Sequence, residues 1–121
     1  FSYYPDFSTK PPRYCLLVEP KEAVTEEERQ QMIEIMDEEF CEVNEKYAKY
    51  RRWGMLNRPE ILILKNKTYW DYREMLRAKG VVLNQIKPVT VINSQERKDF
   101  FFSHVETENS STLDEWKASK E

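Results

Sequence analysis

Glycine is nearly missing from this sequence: there are two in 121 residues, Gly54 and Gly80, each at the end of a helix-like pattern. A loop that cradles phosphate with backbone N–H groups needs several glycines close together, so the chain has no such loop of its own. Cysteine is as scarce, with Cys15 in an apolar run and Cys41 in a helical pattern, which makes neither a disulfide framework nor a metal-ligand cluster. The single histidine, His104, leaves no histidine-based metal site or catalytic triad, and no metal site is expected. No apolar run approaches the roughly 20 residues of a membrane span, and no signal-peptide pattern is present. Both cysteines read as core or near-core residues in a reducing compartment, and the protein as soluble and cytoplasmic without a membrane partner. An excess of one charge is also lacking: 19 Lys and Arg stand against 22 Asp and Glu, a net charge of -3. Nucleic-acid binding would need clustered positive charge, so no nucleic-acid partner is expected.

What is present fits one domain with a modest core, to which the 13% aromatic share contributes. The chain starts at Phe1, in a strand-like stretch, as a segment of a longer protein or a trimmed N-terminus would. Phe1 to Tyr4 and Arg13 to Glu19 read as two strands of a hairpin around Pro5-Asp6 and Lys10-Pro11-Pro12. Pro5 places the first strand at a sheet edge, because proline cannot donate to the ladder.

Thr25 with Glu28 three residues on forms a capping box that opens a long helix. Met32, Ile33, Met36, Phe40, Val43, Tyr47 and Tyr50 then recur at spacings of three and four, an amphipathic face running to a left-handed cap at Gly54. Trp53 and Met55 are expected to pack where the chain turns back. Acidic residues crowd the first half of the helix and basic ones its end, an order that complements the helix dipole. A solvated face accounts for them with fewer assumptions than a pair of catalytic carboxylates.

Glu60 to Lys65 is a nearly continuous apolar run, the mark of a strand covered on both faces. Thr68 is placed as the cap of a second helix, with Tyr69, Tyr72 and Leu76 facing the core, Trp70 and Met75 as further candidates for that face, and Gly80 beyond its end. Pro88 to Ile92 reads as a short strand, and Ser94 caps a third helix carrying Phe100, Phe101 and Phe102. Three successive phenylalanines cannot share one helix face. They are covered by the tail, the favoured reading, or form a surface for a partner. From Glu106 the polar composition reads as a loose tail with one helical turn at Leu113 to Trp116.

Between Gly80 and Pro88 lies the stretch Gly-Val-Val-Leu-Asn-Gln-Ile-Lys-Pro. Pro88 biases Lys87 towards an extended backbone, which lets its side chain reach a partner. An ordinary solvated lysine at a strand entrance satisfies the same residues.

Several local words occur together in order: Tyr3-Tyr4-Pro5-Asp6-Phe7-Ser8-Thr9, Asn44-Glu-Lys-Tyr47, Arg51-Arg52-Trp53-Gly54, Asn66-Lys67-Thr68-Tyr69, Arg77-Ala-Lys-Gly80 and Asn84-Gln85-Ile86-Lys87. Over roughly residues 1–92 the chain resembles the carboxyl-terminal domain of the auxin-responsive acyl-acid amido synthetases, adenylate-forming enzymes. The resemblance implies a mobile lid over a larger N-terminal adenylation domain. The whole enzyme would use ATP with Mg to activate an acyl acid as an acyl-adenylate, then join it to an amino acid. It places the family's lysine on Lys87, as the catalytic cation, and nucleotide contacts on Asn84 and Gln85. The family word continues Lys-Val-Pro-Arg, whereas Lys87 is followed here by Pro88-Val89-Thr90, without the arginine.

The expected fold is α+β, a small mixed β-sheet packed against one long and one or two shorter helices. Residues 1–105 form the lid domain and 106–121 the loose tail. The lid is expected to be inactive alone. A free-standing protein-binding module without catalysis is the alternative.

Overall fold

Alternation of side chains along three strands divides the core in two. The computed structural model describes residues 1–121, apart from the side chain of Leu83. β1 (Ser2–Asp6) pairs antiparallel with β2 (Arg13–Val18), and β2 runs parallel to β3 (Glu60–Ile63), so the sheet is mixed with the order β1-β2-β3. The helices are α1 (Glu26–Val43), α2 (Glu45–Arg52), α3 (Thr68–Ala78), α4 (Gln95–Ser103) and α5 (Ser111–Ala118). Successive strand residues point to opposite faces. Leu16, Ile61 and Ile63 therefore meet Met32, Ile33, Met36 and Phe40 of α1, while Cys15, Leu17, Leu62 and Leu64 meet α3, α4 and α5 through Tyr72, Phe101, Phe102 and Leu113. The α+β expectation holds. No helix among the described residues is long and apolar enough to cross a membrane.

A polar seam crosses the buried end of the sheet. Arg13 Nε donates to Asp6 Oδ2 at 2.7 Å, Arg29 Nη1 donates to Glu60 Oε1 at 2.6 Å, and Arg13 Nη2 lies 3.5 Å from Glu60 Oε2. Thr112 Oγ1 donates to Asp6 and Ser110 Oγ to Glu60, so α5 is fastened to the same charges. Burial pushes the Asp6 carboxyl up, but hydrogen bonds from Thr112, Arg13 and Ser8 outweigh it and hold the group below its ordinary value.

Several expectations need correction. The capping box at Thr25 forms, but the long helix is two: Asn44 takes an extended backbone, its N–H donates to Phe40 O, and its side chain accepts from Tyr47 N. One asparagine thus closes α1 and opens α2. The break turns Val43 out to 77% exposure, and Trp53 and Met55 are exposed as well. Asp37 ties the two helices by accepting from Tyr47 Oη and Arg51. The cap of α3 is Lys67, in the left-handed region at φ 67; Thr68 is its first helical residue, buried and bonded to Lys65 O.

Residues 88–92 add a single parallel bridge, Tyr3 with Val91, rather than a full strand. The supposed loose tail contains α5, with Thr112 and Leu113 buried. Phe101 and Phe102 are 0% and 2% exposed, Phe102 meeting Tyr4 and Trp116 edge-on, so the chain itself covers them and the partner surface proposed for the three phenylalanines falls away.

Candidate functional site

The Gly80–Pro88 stretch is tied at both ends and open between. At one end Gly80, at φ 93, follows α3, where Gly80 N and Val81 N donate to Arg77 O and Leu76 O. The positive φ favours glycine, since a side chain there would be strained. At the other end Tyr3 N donates to Thr90 O and Ile92 N to Tyr3 O, both at 2.9 Å. Ser2 Oγ donates to Val89 O and sits 2.8 Å from the Tyr69 hydroxyl, which links this anchor to α3. A short 3₁₀ turn, Leu83–Gln85, lies between the anchors, closed by Gln85 N donating to Val82 O.

Asn84, Gln85 and Lys87 are all exposed on this bridge. Lys87 lines a groove of about 690 Å³ with Phe1, Tyr69, Tyr72, Arg73, Ile86, Pro88, Val89 and Thr90, a set that includes neither Asn84 nor Gln85. Arg13, Arg29, Arg51, Arg77, Lys79 and Lys120 make ion pairs with carboxylates, and neither Lys87 nor Arg73 is among the pairs of the described residues. The ammonium is thus outside the fold's own charge pairing. The floor of the groove is well held, since Val89 is buried and Tyr72 packs against Phe100 and Phe101.

Chemically, a cation on an anchored loop beside aromatic walls is suited to an anion such as phosphate. Nothing in the groove supplies a nucleophile with a base beside it. Cys15 is buried on the sheet, and that burial, with Glu60 and Asp6 nearby, pushes its thiol well up, which leaves it inert. Reading the sequence passed over Arg73. It lies four residues after Tyr69, hence on the same side of α3, and that spacing was the available signal.

The strands, the helices on both faces and the anchored cationic loop define an α+β domain with an open groove lined by Lys87 and Arg73. It belongs to the GH3 family: the model of the GH3 family C-terminal domain matches residues 1–96. Among solved structures the fold is similar to that of a GH3.15 acyl acid amido synthetase, at 16% identity and a TM-score of 0.75 over 88% of this chain and 19% of that one. It is also similar to AtGH3.15 acyl acid amido synthetase in complex with 2,4-DB, at 20% identity and a TM-score of 0.70 over 88% of this chain and 20% of that one. The chain spans about a fifth of the length of these structures. No curated protein matches it.

Proposed function

We propose that this domain is the mobile C-terminal lid of a cytoplasmic, ATP-dependent acyl acid amido synthetase, which activates a carboxylic acid as an acyl-adenylate and passes it to an amino acid's amine. It acts with an N-terminal adenylation domain on the same polypeptide and is inactive as an isolated fragment. The observation that carries the reading is Lys87, exposed on a loop fixed at both ends and without a carboxylate partner among the described residues.

ATP, when bound, supplies the phosphorus that the acyl carboxylate attacks and the pyrophosphate that leaves. The residues here fit a phosphate only in part: a cation and an aromatic groove are present, but both glycines end helices and no phosphate-cradling loop is found among the described residues. Most nucleotide contacts, and Mg, are therefore assigned to the N-terminal domain. Lys87, carried in by closure, would offset negative charge developing on the α-phosphate. A unit charge at about 4 Å is worth roughly 4 kcal/mol at an effective dielectric near 20. Asn84 and Gln85, exposed on the turn before it, are assigned to the nucleotide as polar contacts made only on closure.

The test is Lys87→Ala in the full-length protein. Pyrophosphate release in the adenylation half-reaction should fall about 100-fold to 1000-fold, the usual effect of losing one preorganised donor. Near-normal release would remove Lys87 from the mechanism.

A further inference from the structure

We infer that Arg73 is a second phosphate-binding residue of the groove, holding the pyrophosphate portion of the nucleotide beside Lys87; this rests on the nucleotide-facing reading of the Lys87 loop. Arg73 and Lys87 come from different elements, α3 and the bridge that follows it, yet line the same groove. Both are exposed, and no carboxylate lines the groove among the described residues.

The neighbouring cations of the same region are already engaged. Arg77 lies 3.9 Å from Glu74, and Lys79 Nζ donates to Glu96 at 2.8 Å. Arg73 instead has its guanidinium carbon 5.7 Å from the centre of the Trp70 ring. An aromatic face steadies a guanidinium without neutralising it, so the fork stays available to an anion. One point charge and one planar fork, brought to a single groove by two different elements, suit an anion with several phosphate oxygens better than a single carboxylate. The aromatic walls of Phe1, Tyr69 and Tyr72 keep part of the water away, which strengthens both interactions.

The experiment titrates inorganic pyrophosphate into the 121-residue chain at low ionic strength and follows amide shifts of residues 69–73 and 86–90. Binding should be saturable, weaken with added salt, and fall about tenfold in Arg73→Ala, with partial recovery in Arg73→Lys. Arg77→Ala, on the same helix but off the groove, should bind as the parent chain does. Equal affinity in Arg73→Ala and the parent chain, or shifts confined to other surfaces, overturns the proposal. In the full-length protein, Arg73→Ala should raise KM for ATP more than it lowers kcat. If Lys87→Ala keeps full adenylation there while Arg73→Ala still weakens pyrophosphate binding, the lid reading fails and the anion site stands.

Discussion

Two sets of charges sit at opposite ends of the sheet's first strand and are treated in opposite ways. In the seam, Asp6, Glu60 and Arg29 are almost wholly withdrawn from water and Arg13 is largely so; every one is bonded, and Asp6, Arg13 and Glu60 bond to hydroxyls in or next to α5. In the groove, Lys87 and Arg73 stand in water with no carboxylate beside them among the described residues. A buried charge must be paired, because desolvation costs several kcal/mol per ion. An exposed cation carries no such penalty, so leaving it unpaired costs the fold almost nothing and keeps it available. On the proposed function, stability and ligand recognition rest on different residues, and variants should separate them.

The largest effect should come from the seam. Glu60→Ala strips Arg29, 5% exposed, of its buried partner and should lower unfolding stability by about 3–5 kcal/mol, read as a drop in the urea midpoint. A loss below about 1 kcal/mol would mean that the seam is not what holds the sheet end. Leu113→Ala, at a position 2% exposed, should cost about 2–5 kcal/mol by the same measurement. A cost near zero would restore the reading of a loose tail.

The acid limb of stability tests Asp6 by itself. Its carboxyl is held below the ordinary value of 3.8 in the folded protein, so its contribution is complete above that pH and is lost as pH falls through the lower folded value. Asp6→Asn should flatten the part of the stability profile that lies below about pH 4 and leave the slope between pH 5 and 7 unchanged. The smallest effect belongs to the groove. Lys87→Ala, which the proposed function expects to suppress adenylation, should change unfolding stability by no more than about 0.5 kcal/mol, as exposed unpaired lysines do. A larger shift would show that Lys87 belongs to the fold after all.

Much of the scaffold was readable because its signals are local. The capping box of Thr25 and Glu28, the β-favouring residues of β2 and the apolar run of β3 each depend on residues a few positions apart. Asn44 was missed because the spacing of three and four runs straight through it; one extended residue hardly disturbs the pattern, yet it turns Val43 outwards. The tail was misread for the opposite reason. Ser110 and Thr112 are ordinary polar residues until they meet Glu60 and Asp6, which are 50 and 106 positions away. The loop words around Asn84 and Lys87 located the exposed bridge, but the groove needs α3 as its other wall, and only the folded chain brings Arg73 there.

The bond from Thr112 to Asp6 joins the last helix to the first strand. Peeling α5 away would take the Thr112 hydroxyl from Asp6 and open the Asp6–Arg13 pair of the first hairpin, so fraying of the C-terminal segment is coupled to the sheet. Amide protons of α5 should then exchange by the same global opening as those of β1, and the domain should come apart in one event rather than from its end inwards.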